Sequence, residues 1–328
     1  MKIAAFEFDG EWKLGAVEGH CVADLERSYA LYLHEIRGDA QALDVARVRI
    51  PRDLLTFLRG GEPSWEAARQ GLEHVSSKGD VRGLRNGAIW RDLAEVRLLA
   101  PLVPETVLCA GPNLDPGSGM DLERHREFYL KSAHTVIGPQ ETVLHQRGGA
   151  DKLLCETELG IVLGGSGRYL SPEEAEGIVF GYTVFTDVYD AEKLAVGWEG
   201  WHFHNLYGEG ASFDTAAPIG PWVVTKDEVG DPAALEASLS VNGSERARYC
   251  IGDLQRGVFE FVSYLSTFFT LEPGILIASG SPAGARFGTT PDGLPVILND
   301  AVDVLSPDDR IRSAITGIGV LENPVTRE

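Results

Sequence analysis

Glu156 and Glu158 stand two residues apart in CETELGIVLGG (155–165), at the start of an apolar, partly β-branched stretch. Such a stretch reads as a strand, and alternate side chains on a strand share a face. The two carboxylates therefore aim the same way, with Cys155 and Thr157 on the other side. Like charges that close raise each other's pKa, and a cation between them removes the conflict. A strand end frayed into water is the other reading of this pair alone. Asp187, in GYTVFTDVYDAE, follows after a helix-sized segment and a second strand. That length of chain suffices to bring it back beside the glutamates. Three carboxylates with no convergent Cys or His form an oxygen-only site. Hard cations such as Mg²⁺, Mn²⁺ or Ca²⁺ suit it, and open positions on such a cation would act as a Lewis acid on a dicarbonyl or enolate substrate.

The elements that must position these acids follow from patterning. The first residues, KIAAFEFDGEWKLGAVEGHCVADL, read as short strands with turns at Asp9-Gly10 and Glu18-Gly19. Helical text follows in SYALYLHEI, DLLTFLRGG and SWEAARQGLEHV, the last with Ser64 as the expected N-cap. From Val96 the text turns strand-rich, with ETVLH, ETELGIVLG, VFGYTVFTDV, LSVNG, GILIASGSPAG and DAVDVLS. Two helices interrupt it, SPEEAEGIV capped by Ser171 and GVFEFVSYLSTFFTL. Strands and helices do not alternate regularly, which argues against a doubly wound parallel sheet. The expected fold is α+β and β-rich, with a small N-terminal α+β domain at 1–95 and a catalytic domain at 96–328.

Composition bounds the function. The 328 residues carry a net charge of −20, with 44% hydrophobic and 24% charged residues. That charge opposes binding to nucleic acid or an anionic membrane, while a local cation would still admit an anionic small molecule. There is no apolar run of membrane-spanning length and no signal-peptide pattern. Cys21, Cys109, Cys155 and Cys250 are widely spaced without a CxxC pair, as expected of a cytoplasmic protein without disulfides.

The blocks ETELGIVLG and VFGYTVFTDV resemble the ExE…D site of the fumarylacetoacetate hydrolase family. FYLKSAHTVIGPQETV, SFDTAAPIGPWVVTKDEVGDP and FEFVSYLSTFFTLEPGILIASGSPAG resemble further blocks of that family, in the same order. The resemblance runs from about residue 96 to 325, and the leading part looks like the small N-terminal domain of long members. It implies a mixed β-sandwich roll and a homodimer. It also implies metal-dependent action on a 2-oxo acid or 1,3-dicarbonyl (acylpyruvate-like) substrate. Glu156, Glu158 and Asp187 would bind Mg²⁺ or Mn²⁺. Thr215 would lie beside the metal, and Ser281 would stand where the family has a substrate-binding Thr. Lys131 would lie at the substrate end, in binding or catalysis.

The chain departs from the family pattern at several positions. Where hydrolytic members carry a motif like GLNYRDHAxE, whose His and Glu activate water, this chain reads GPNLDPGSGMD, with Gly117 and Met120. The lysine expected before SFDT is Ala211, and the Arg and Gln expected after the metal Asp are Ala191 and Leu194. Loss of a general base costs about 10²–10⁴-fold, and loss of an oxyanion donor about 10²–10³-fold. Hydrolysis of a C–C bond then requires a substitute base, for which His125, His202 and His204 are the candidates; surface or packing roles are the alternative for each. Decarboxylation, isomerisation, tautomerisation or dehydration would survive these losses better. A third reading is a metal-binding homologue with lapsed catalysis.

Overall fold

The structure, a computed structural model, describes residues 1–79, 81–111, 113, 128–145, 153–190, 207–282, 287–289, 295–297 and 304–327. Three antiparallel strands open the chain, β1 (Lys2–Phe8), β2 (Glu11–Glu18) and β3 (Cys21–Asp24). Four helices follow: α1 (Leu25–Arg37), α2 (Ala42–Arg49), α3 (Leu54–Arg59) and α4 (Gly61–Ser76). Asp24 and Asp53 cap α1 and α3 through their side chains. The expectation for Ser64 is corrected: α4 starts at Gly61, and Ser64 lies buried inside it. The chain needs no cap at Ser64 because the helix runs almost directly on from α3, through Gly60.

Short strands β4 (Trp90–Asp92), β5 (Arg97–Leu98), β6 (Val107–Ala110), β7 (Phe128–Lys131), β8 (Val136–Ile137) and β9 (Val143–His145) lead to the long pair β10 (Leu153–Leu163) and β11 (Val179–Asp190). Between that pair, helix α5 (Pro172–Ile178) is capped by Ser171, as the sequence predicts, and Glu174 completes a capping box with it. The rest includes β12 (Ala217–Thr225), β13 (Glu236–Val241), β14 (Ser244–Cys250), the helix Val258–Ser266, β15 (Leu276–Ala278), β16 (Phe287–Thr289), β17 (Pro295–Ile297), β18 (Arg310–Ile315) and β19 (Gly319–Arg327), with short helices at Tyr207–Ala211 and Lys226–Val229.

The main sheet runs β4-β3-β2-β1-β12-β11-β10-β15-β6-β7, and the second runs β14-β13-β18-β19-β9. Both are mixed: β15–β6 and β19–β9 are parallel, whereas β10–β11 is antiparallel. Strand β1 pairs directly with β12, so the leading strands extend the same sheet that carries β10 and β11.

Strands β10 and β11 are buried on both faces, and the faces differ. Cys155, Val188, Leu239, Ile311 and Val325 pack together between the two sheets. Phe185 and Tyr189, of opposite parity to Val188, pack instead with Tyr129, Cys109 and residues of α3 and α4. The main sheet therefore curls, so that β7, at its end, lies over β11. The fold is α+β and β-rich. Among the described residues no helix is long and apolar enough to cross a membrane, and no disulfide links the four cysteines.

Candidate metal centre

The register of β10 and β11 sets Glu156 directly opposite Asp187, and Glu158 opposite Phe185. All three carboxylates share the face that the curled sheet encloses. Glu158 is 2% and Asp187 4% exposed. Burial, then the charges of Asp187 and Glu156, push the Glu158 carboxyl well above the usual range. The Gly280 N–H and the Lys131 ammonium oppose that push.

Among the described residues each carboxylate accepts from a donor. The Gly280 N–H donates to Glu158 Oε2 at 2.7 Å, the Tyr189 hydroxyl to Glu156 Oε1 at 2.7 Å, and the Tyr129 hydroxyl to Asp187 Oδ2. Gly280 has φ +76°, and a Cβ there would lie 2.8 Å from Asn113 Cβ and 3.0 Å from Ala110 Cβ. Glycine is thus required both for the left-handed turn and for the approach to Asn113. Asn113 fixes that turn by donating to the Ser279 carbonyl at 2.8 Å, while its Oδ1 accepts the Arg256 N–H at 2.8 Å.

Lys131 is fully buried, and its ammonium lies 2.7 Å from Asp187 Oδ1. It also donates to the carbonyls of Val188 at 2.9 Å, Ala216 at 3.1 Å, and Ala211. Three carbonyls absorb three N–H groups, so the contact with Asp187 is one of charge rather than a directed hydrogen bond. Accordingly Asp187 Oδ1 is buried and, among the described residues, accepts no hydrogen bond. Ala211, where the resemblance leads one to expect a lysine, contributes its carbonyl to Lys131.

A buried carboxylate oxygen without a donor, in a set of three hard-oxygen ligands, fits a divalent cation. Among the described residues no three His, Cys, Asp or Glu side chains already converge tightly enough to hold one. One oxygen of each carboxylate accepts from Tyr189, Gly280 or Tyr129. The donor chemistry and the strand register fit the group.

The other expected site residues fall as follows. Thr215 adopts φ +69°, an unfavourable region for a β-branched residue, and its hydroxyl accepts the Leu144 N–H at 2.8 Å. Ser281 is buried and hydrogen-bonds Tyr249. Burial and the charge of Glu158 push the Tyr249 phenol well above its ordinary value, and that hydrogen bond pulls it partly back. His125, His202 and His204 lie outside the described residues, as do Gly117, Met120, Ala191 and Leu194. Sequence reasoning passed over Tyr129, Tyr189 and Asn113. The signal available for the tyrosines was spacing: Tyr129 stands two before Lys131, and Tyr189 two after Asp187.

Known proteins resemble this chain in sequence and in fold. The profile of the fumarylacetoacetate (FAA) hydrolase C-terminal family matches residues 114–326. The oxaloacetate tautomerase YisK of Bacillus subtilis is 31% identical over 285 residues, 84% of this chain and 87% of that protein. Among solved structures, a fumarylacetoacetate hydrolase from Exiguobacterium antarcticum superposes with a TM-score of 0.72 and 26% identity, covering 100% of both chains. A maleylpyruvate hydrolase from Sphingobium sp. SYK-6, in complex with manganese (II) ion and pyruvate, superposes with a TM-score of 0.68 and 24% identity. That alignment covers 100% of this chain and 99% of the other.

Proposed function

The chain belongs to the fumarylacetoacetate hydrolase family of hydrolases, isomerases and tautomerases, and on that premise we propose that it is a divalent-cation-dependent enzyme that catalyses the keto–enol interconversion of a 2-oxo acid. The observation that carries this reading is the Glu156–Glu158–Asp187 cluster, with Glu158 and Asp187 buried and Lys131 as its built-in counter-charge. Glu156, Glu158 and Asp187 would hold Mg²⁺ or Mn²⁺; the manganese in the related maleylpyruvate hydrolase supports this choice.

A bound divalent cation would polarise the 2-oxo group as a Lewis acid. The chain's own residues do the rest. Three carboxylates and the Lys131 ammonium sum to −2, so the loaded site is neutral and accepts an anionic substrate without net repulsion. The Ser281 hydroxyl would orient the substrate, and the Lys131 ammonium would keep β11 and the SFDT loop in place through its three carbonyl partners. Burial of Glu158 and Asp187 excludes competing water. In tautomerisation the proton leaves the carbon next to the 2-oxo group and is taken up at its oxygen, and no water is consumed. That chemistry does not call on the water-activating His and Glu of hydrolytic members, whose places hold Gly117 and Met120. The relative named as an oxaloacetate tautomerase points to the same class. The reading extends to a cytoplasmic homodimer.

Hydrolytic C–C cleavage of an acylpyruvate is the second reading, favoured by the likeness to the Exiguobacterium hydrolase. It requires a base from among His125, His202 and His204. Enol absorbance of oxaloacetate and of acylpyruvates, followed with and without Mg²⁺ or Mn²⁺, separates the two. Metal-dependent keto–enol exchange of oxaloacetate that disappears in Glu158→Ala is expected. Acylpyruvate cleavage with the same dependence would move the assignment to hydrolysis, and silence on both would overturn it.

A further inference from the structure

Two phenols reach into the carboxylate cluster from different strands. Tyr129 sits on β7, two residues from Lys131 and therefore on the same face. Both side chains cross the curl of the sheet to Asp187, the phenol to Oδ2 and the ammonium to Oδ1. Tyr189 sits on β11, two residues beyond Asp187, in the diagonal position to Glu156 across the β10–β11 pair. Its hydroxyl donates to Glu156 Oε1 at 2.7 Å. Both rings are buried in the same apolar cluster, with Cys109, Phe185 and Ala278.

We propose that Tyr129 and Tyr189 are positioning residues of the metal centre, each fixing the plane of one ligand carboxylate before the cation arrives. This rests on the reading of Glu156, Glu158 and Asp187 as metal ligands. The terminal torsion of an Asp or Glu side chain is broad and roughly two-fold. A neutral donor on one oxygen selects one orientation and adds no charge. The phenol thereby lowers the entropy lost when the carboxylate becomes a ligand, while the carboxylate keeps its full negative charge for the cation. Lys131 also contacts Asp187, but it reduces the charge available to the metal; a phenol does not. The third carboxylate, Glu158, receives its donor from the Gly280 main chain instead. Each ligand carboxylate thus accepts from a donor among the described residues, and two of these three donors are side chains that can be altered without disturbing the backbone.

The alternative is that the carboxylates merely satisfy two buried hydroxyls, which normally find a partner. Metal affinity distinguishes the two. Full-length Tyr129→Phe, Tyr189→Phe and the double variant keep the rings and lose one oxygen each. Tyr182→Phe serves as a control, because its buried phenol is near Glu176 and Asp231 and not the cluster. Mn²⁺ binding is titrated by calorimetry and by the loss of the free-ion spin-resonance signal, and unfolding of the metal-free proteins is recorded alongside. Outer-shell partners of this kind typically change metal affinity by about 10–100-fold. The expected result is Mn²⁺ binding weakened by about that factor in each cluster variant, more in the double variant, and unchanged in Tyr182→Phe. Mn²⁺ affinity within twofold of wild type in folded Tyr129→Phe and Tyr189→Phe would overturn the proposal and leave the phenols as packing groups. Tighter Mn²⁺ binding would also overturn it, making them competitors of the cation. Wild-type protein that binds no Mn²⁺ would overturn the metal reading itself, a separate outcome visible before any variant is compared.

Discussion

Glu158 bears the sharpest conflict of any side chain in the cluster. It is buried, faces two other carboxylates, and is supported by one main-chain N–H and a lysine charge shared with Asp187. In the metal-free protein this position favours the neutral carboxyl, so its pKa lies well above the reference value of 4.5. The unfolded chain releases this proton at lower pH than the fold does, so the fold binds more protons in between. The contribution to stability is fully present below the unfolded pKa and is lost as pH rises through the folded one. Glu158→Gln keeps the size and the acceptor for Gly280 while removing the charge. The metal-free variant is therefore expected to be more stable than metal-free wild type near neutral pH. The difference should vanish in acid below about pH 4, where both side chains are neutral. Denaturant midpoints with a chelator present, measured across that range, check it. Equal midpoints at neutral pH would show that Lys131 and Gly280 already relieve the charge in full.

At the scale of elements, the site is a matter of register. The spacing of Glu156 and Glu158, and the return of the chain on GYTVFT, sufficed to place Asp187 beside them, because a period of two and a pair of antiparallel strands leave few alternatives. The cap at Ser171 was readable for the same reason: it is local. Tyr189 could have been read from the same register, whereas the contact of Tyr129 with Asp187 could not, because it depends on how far the sheet curls. No local pattern encodes that closure. The sharing of one sheet by β1 and β12 was equally hidden, since the partners are more than 200 residues apart. Ser64 misled because α3 and α4 are nearly continuous, so the capping residue type fell inside a helix. The turn after β15 is the element most exposed to a single change. Gly280→Ala puts a side chain at φ +76° and against Asn113 and Ala110. It is expected to destabilise the protein by about 1–3 kcal/mol, and to weaken Mn²⁺ binding by moving the N–H from Glu158. A thermal midpoint and a metal titration on the same sample read both effects, and wild-type values in both would refute the role assigned to this turn.

The whole molecule carries a net charge of −20, and this acts in opposite directions on the two ligands of the proposed enzyme. A divalent cation is concentrated at such a surface, whereas an oxo-dicarboxylate is repelled until it reaches the neutral, cation-loaded site. The Debye length falls from about 30 Å at 0.01 M to about 8 Å at 0.15 M ionic strength. Over that range the long-range repulsion of a small dianion is largely screened, while the buried cluster is screened much less. With cation held saturating, kcat/KM for oxaloacetate is therefore expected to rise about 3- to 10-fold with added salt, while kcat stays nearly constant. In the same range the apparent affinity for Mn²⁺ should fall. A monovalent substrate such as pyruvate, in a competition assay, should respond less than the dianion, because the work against the field scales with substrate charge. If kcat/KM for oxaloacetate instead fell with salt, a local positive surface would have to guide the substrate in. The entrance would then be built from cationic side chains outside the carboxylate cluster, and Lys131, buried beneath it, could not be one of them.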